Sequence, residues 1–115
     1  MSALEIQHQQ VDGHATISLS GELDISTAVE LEHLLGQLEA ADGPARIVID
    51  LRGLRFMDST GLRLLVTADL RLRRDGRELA LVPGPEPVHR VFRLALLEER
   101  LAFVDHAFDG DGGPA

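Results

Sequence analysis

Residues Ile47-Val48-Ile49-Asp50-Leu51 form a nearly continuous apolar run of strand length, rich in β-branched side chains. Such a run is expected of a central strand covered on both faces, which commits the chain to layers of helix packed on sheet. The flanking periodicities supply the other elements. Leu4, Ile6 and His8 oppose Glu5, Gln7 and Gln9, and Ala15, Ile17 and Leu19 oppose Thr16, Ser18 and Ser20. Both stretches alternate with the period of strands, and Asp12-Gly13 between them accepts the positive φ angles of a tight turn. An antiparallel hairpin follows, its second strand ending at Gly21-Glu22-Leu23-Asp24. Ala28, Leu31, Leu34, Leu35 and Leu38 then fall on one helical stripe. Thr27 with Glu30 three residues on has the spacing of a capping box, Asp24 and Ser26 being rival caps, and Asp42-Gly43-Pro44 ends this helix. A second helix is predicted from about Ser59 to Arg74, a strand at Leu79 to Val82, and a third helix with Val88, Val91, Phe92, Ala95 and Leu96 on one stripe. Leu101 to Val104 reads as a last strand.

This order predicts an α/β fold: a mostly parallel sheet of four to five strands with right-handed crossovers, an antiparallel edge strand from the N-terminal hairpin, and three or four helices. In open sheets of this kind function gathers beyond the carboxyl ends of the parallel strands. Two turns meet that description, Gly21 to Ser26 and Leu54 to Gly61. The 115 residues amount to one domain, with no internal linker. The C-terminal Asp109-Gly110-Asp111-Gly112-Gly113-Pro114-Ala115 is too poor in apolar residues to offset its ordering entropy and is expected to be disordered.

Composition removes several function classes. There is no cysteine, so there is no disulfide framework, thiolate nucleophile or thiolate metal site. There is no lysine either, all 11 basic residues being arginine, which removes Schiff-base chemistry and the P-loop lysine. Nineteen acidic residues bring the formal charge to -8, a field that repels nucleic acid and anionic lipid and favours a protein partner. Apolar runs are far shorter than the roughly 20 residues of a membrane span and no leader pattern opens the chain, so a cytoplasmic protein is expected, without membrane insertion. No cofactor and no metal are expected, because His8, His14, His33, His89 and His106 are scattered without ligand-like spacing.

One of the two turns is unusual. In Gly53-Leu54-Arg55-Phe56-Met57-Asp58-Ser59-Thr60-Gly61-Leu62, three residues that cap helices stand together at one helix start. One cap satisfies the orphan amides, and losing it costs about 1 kcal/mol, so three exceed what structure requires. Gly61 weakens the helix by roughly 1 kcal/mol relative to Ala but lets another surface approach the backbone. Phe56 and Met57 are available either to a partner surface or to cover the sheet edge, and Phe56, just beyond the central strand, is expected to complete the core, as apolar residues there usually do. Arg55 and Arg63 flank the turn and are available to an acidic partner or a phosphate, unless simply solvated.

Phe56-Met57-Asp58-Ser59-Thr60-Gly61-Leu62, with Gly21-Glu22-Leu23-Asp24 and Ile49-Asp50-Leu51, resembles the STAS domain of bacterial anti-sigma factor antagonists. The resemblance spans residues 1–108. It implies that Ser59, or less favourably Thr60, is phosphorylated by a partner that is both anti-sigma factor and serine kinase. The unphosphorylated form would bind that partner and free a sigma factor, and a metal-dependent (PP2C-type) serine phosphatase would reset the switch. Glu22, Asp24, Asp58, Ser59, Thr60 and Gly61 match the family's partner-binding surface. Thr60 departs from a second Ser common in the family. The same domain also resembles small subunits of lipid-transporting ABC systems and scaffolds of stress-signalling complexes, which is the alternative reading.

Two other classes fit less well. An enzyme built on Ser59 lacks a G-x-S-x-G elbow, and a response-regulator receiver needs an acidic Mg²⁺ pocket and a lysine. Asp50 is expected instead to cap or pair near the following turn.

Overall fold

The computed structural model describes residues 3–40 and 42–105. Five strands and three helices alternate along the chain: β1 (Leu4–Val11), β2 (His14–Leu23), α1 (Ala28–Leu38), β3 (Arg46–Met57), α2 (Ser59–Arg74), β4 (Glu78–Val82), α3 (Glu86–Leu94) and β5 (Ala102–Phe103). They form one sheet in the order β1-β2-β3-β4-β5, with the antiparallel edge pair β1-β2 and the otherwise parallel pairing that the sequence predicts. Asp12 and Gly13 take positive φ angles of 46° and 82° at the hairpin turn. The predicted C-terminal tail lies outside the described residues.

Because each crossover steps to the next strand in the same direction, a constant right hand places every helix on one face of the sheet. The core follows that rule. Leu31 and Leu35 of α1, Leu65 and Leu72 of α2, and Val88 and Phe92 of α3 pack with Ile17, Ile47, Ile49 and Leu81 in one cluster. The alternate residues Val48, Ala80 and Val82 form a small second cluster with Val104, to which no described helix residue contributes. Residues 47–51 are thus buried on both faces, but helices cover only one.

Three expectations need correction. The central strand does not stop at Leu51 but continues to Met57, so half of each predicted turn is strand: Gly21 pairs with Leu54, Glu22 with Phe56 and Leu23 with Met57. The alternation is disguised because β3 carries extra residues relative to β2, between the Ser18–Asp50 and Ser20–Gly53 pairs and again between Gly21–Leu54 and Glu22–Phe56. Those irregularities change the inward spacing from two to three, so Leu51, Leu54 and Met57 are buried and Phe56 is 49% exposed instead of completing the core. Finally, Ala95 and Leu96 lie beyond α3. The amide of Leu97 donates to the Phe92 carbonyl (2.9 Å) and that of Leu96 to Arg93 (3.0 Å), a Schellman closure that forces Leu96 to a φ of 61° with its side chain in solvent.

At the other end of the parallel strands Arg77 gathers the chain. Its Nε donates to the Pro44 carbonyl (2.9 Å), and its terminal nitrogens donate to Leu38 (2.6 Å), Glu39 (3.0 Å) and Ala40 (3.4 Å). The orphan carbonyls at the end of α1 are thereby satisfied by one guanidinium.

Candidate functional site

The carboxyl ends of β2 and β3 lie side by side, because Leu23 pairs with Met57 and the Asp58 amide donates to the Leu23 carbonyl at 3.2 Å. Each strand end carries an aspartate that folds the following turn. Oδ1 of Asp24 accepts from the amides of Ser26 (3.0 Å) and Thr27 (3.2 Å). Thr27, expected to cap α1 through the box with Glu30, turns backwards instead: its hydroxyl donates to the Glu22 carbonyl (2.8 Å) and accepts from the Asp24 amide (3.0 Å). Asp24 therefore organises this turn and Thr27 locks it, without a side-chain cap on the first helical amides. Thr27 thus occupies the N-cap position that the spacing marks, with the Glu22 carbonyl as the acceptor of its hydroxyl.

Asp58 is the N-cap of α2. Its Oδ1 accepts from Thr60 (2.9 Å) and Gly61 (3.1 Å), and its carbonyl accepts from Leu62 (3.1 Å). Of the three capping residues grouped here, one does the capping. Ser59 is exposed and its hydroxyl makes no hydrogen bond among the described residues, whereas Thr60 is half-buried and lines a groove between α1 and α2 with Ala28, Glu32, Arg63 and Arg71. The two residues are thus separated by exposure.

Gly61 is buried, and its place in a contact surface needs correction. A Cβ there would lie 2.8 Å from Cγ of Leu23 and 2.9 Å from Cγ of Met57. The surface that approaches its backbone is the chain's own core, and the glycine lets α2 seat on the ends of β2 and β3. Glu22 pairs loosely with Arg55 (3.6 Å), and Asp50 pairs with Arg52 through three contacts of 2.8 to 3.0 Å, the pairing expected of it. Burial acts to raise the Asp50 carboxyl, but the hydrogen bonds and charge of Arg52 outweigh it and hold the group below its ordinary range.

The sequence offers Phe56 for the apolar component of this surface but does not single out Ile25 and Val29. Ile25 is 76% and Val29 63% exposed in the turn and first helical residues after β2, and Phe56 stands half-exposed on the strand leading to Asp58. Val29 falls off the stripe of Ala28, Leu31 and Leu35, which is the signal that could have found it. Among the described residues no three His, Asp or Glu side chains converge as metal ligands. No described helix is long and apolar enough to cross a membrane.

Comparison with known proteins fits this arrangement. The family model described as "Mlab, STAS domain" matches residues 6–105. The chain belongs to the STAS domain family. Among curated relatives it is 31% identical over 96 residues to an anti-sigma-B factor antagonist of Staphylococcus aureus, covering 84% of this chain and 88% of the relative. It is 38% identical over 91 residues to the anti-sigma-F factor antagonist RsfB of Mycobacterium tuberculosis, covering 72% and 74%. Among solved structures, an anti-sigma factor antagonist from Mycobacterium paratuberculosis superposes with a TM-score of 0.81 at 28% identity, over 92% of this chain and 89% of that one. In this STAS domain the motif that carried the resemblance, Asp58 to Leu62, is the start of α2.

Proposed function

We propose that this STAS domain is an anti-sigma factor antagonist whose Ser59 is the switch. The observation that carries the reading is the division of labour at the start of α2: Asp58 takes the amides of Thr60 and Gly61, while Ser59 is exposed and its hydroxyl has no hydrogen-bond partner among the described residues. The partner is an anti-sigma factor with serine kinase activity. It docks on Ser59, Thr60, Asp58 and Asp24 with Glu22, and the exposed Ile25, Val29 and Phe56 supply the apolar area that a polar turn lacks. Curated relatives and the solved neighbour named above, all anti-sigma factor antagonists, support this assignment.

In the kinase reaction the Ser59 oxygen attacks the γ-phosphorus of ATP, the bond to the β-phosphate oxygen breaks, ADP leaves and the hydroxyl proton passes to a base of the kinase. A PP2C-type phosphatase returns the hydroxyl by hydrolysis of the phosphoester. The added group carries about -1.5 to -2 charges beside Asp58, and like-charge juxtaposition at a packed interface costs several kcal/mol. Taking a partner from nearly all bound to nearly all free needs about 5.5 kcal/mol, a gap that this penalty approaches without a change of fold.

A pull-down from native lysate with wild type, Ser59→Ala and Ser59→Asp tests the reading. The expected catch is a kinase-like anti-sigma factor retained by wild type and Ser59→Ala and lost with Ser59→Asp. Added ATP should phosphorylate wild type and leave Ser59→Ala unmodified. Recovery of an ABC ATPase regardless of the substitution would overturn it in favour of lipid transport.

A further inference from the structure

We propose that Arg63 is the counter-ion of the phosphate carried by Ser59, so that phosphorylation adds an anion to the docking face and withdraws a cation from it in one step. The proposal rests on Ser59 being the modified residue. Its starting point is a shortage of donors. A phosphate at the first residue of a helix would ordinarily turn to the amides of that first turn, but here Thr60 and Gly61 already donate to Asp58 and Leu62 donates to its carbonyl, which leaves the amide of Ser59 itself. One amide does not satisfy three phosphate oxygens, so the new group has to complete its set of partners among side chains.

Those nearest divide clearly. Asp58 on the same turn and Glu32 across the α1–α2 groove are acidic and repel it, as do Glu22 and Asp24 at the end of β2. Arg52 and Arg55 are engaged with Asp50 and Glu22, and Arg71, farther along the groove, with Glu39. Arg63 forms no ion pair or hydrogen bond among the described residues, in a chain of net charge -8. It stands four residues after Ser59 on the same continuous helix, and both are exposed. Residues so spaced are neighbours on a helix surface, about 5 to 6 Å apart at Cβ. A long helical side chain also leans back over the preceding turn, which carries the Arg63 guanidinium toward position 59. The planar fork of arginine then meets phosphate oxygens in a geometry suited to two parallel hydrogen bonds. Before modification the face presents a hydroxyl and a free guanidinium; afterwards it presents a closed ion pair with residual negative charge.

The test installs phosphoserine at position 59 of the full chain by codon reassignment, with no kinase, and follows the phosphate by ³¹P NMR against pH. Pairing with Arg63 favours the dianion, so wild type should titrate about 0.2 to 0.7 pH unit below Arg63→Gln, the span set by partly exposed ion pairs. Arg63→Lys should keep part of the shift. Arg71→Gln should titrate with wild type, and about 1 M salt should erase the difference. Coincident wild-type and Arg63→Gln curves, or an equal displacement by Arg71→Gln, overturn the proposal. Because the phosphate is built in, this result is independent of whether a cellular kinase uses Ser59, which the pull-down decides separately.

Discussion

The two ends of the parallel strands are held by opposite means. At the carboxyl end, Asp24, Thr27 and Asp58 stitch the turns with bonds to groups two to five residues away. At the amino end, Arg77 alone reaches carbonyls 33 to 39 residues away in sequence. Local stitches order a turn and leave its outer surface unengaged, whereas the long-range clamp engages all three nitrogens of its guanidinium. A hydroxyl can therefore be charged and discharged at the first end while the domain's integrity is kept at the second.

The sharpest way to break this contrast is Arg77→Ala. Hydrogen bonds from charged donors contribute about 1.5 to 3 kcal/mol each but are not additive, and orphaned carbonyls add their own penalty, so a loss of about 3 kcal/mol is expected. At roughly 4 to 8 °C per kcal/mol in a domain of about this size, calorimetry should show a fall of more than ten degrees or so. Arg77→Lys should recover less than half, since one ammonium cannot span these acceptors. A loss under about 1 kcal/mol would mean that the amino end is not clamped at all.

At the carboxyl end the effects should be smaller and graded by depth. Gly61→Ala gains about 1 kcal/mol of helix propensity but forces Leu23 and Met57 apart where neither has room, a packing cost of about 1 to 3 kcal/mol. The balance runs from about neutral to a net loss of about 2 kcal/mol in urea denaturation; a net gain would put Gly61 on the open surface after all. Asp58→Ala, which removes the cap, should cost about 1 kcal/mol, with Asp58→Asn nearly neutral.

How much of this was legible in the sequence depends on how far each signal travels along the chain. The hairpin around Asp12-Gly13, the bounds of α2 and the order of elements along the chain followed from periodicity and turn chemistry, which are local. So did the crowding of Asp58, Ser59 and Thr60, the whole of the site's signature. What failed was non-local. The extension of β3 to Met57 depends on two irregularities matched to β2, and Arg52, Gly53 and Arg55 within it look like a loop to any test of alternation. Phe56 was misplaced as a direct consequence. Arg77 could not be found because its partners are backbone carbonyls without a sequence signature. Leu96 occupies a left-handed position where glycine is usual, and nothing in its stripe announces that.

The smallest expected effects lie in two buried carboxylates that repeat the contrast. Asp50 receives its charge partner from two residues away, and those local bonds overcome burial; Asp69 of α2 is 5% exposed, and there burial wins over Arg73 and raises the carboxyl. The signs follow. Asp50, lower in the folded state, contributes stability that is present above the unfolded value of about 3.9 and is lost as pH falls through the folded one. Asp69, higher in the folded state, does the reverse: its ionisation opposes folding as pH rises from about 3.9 through the folded value, and the penalty is relieved by acid. Stability measured by urea denaturation between about pH 3 and 7 should therefore diverge in opposite directions for the two amides. Asp50→Asn should fall progressively behind wild type as pH rises, and Asp69→Asn should gain on it. Each change should stay within about 1 kcal/mol, because Arg52 and Arg73 hold their guanidinium groups largely in solvent. Parallel curves for the two variants would mean that burial and local bonding are balanced alike in both places, and the distinction between a carboxylate whose local bonds outweigh burial and one whose ion pair does not would fall with them.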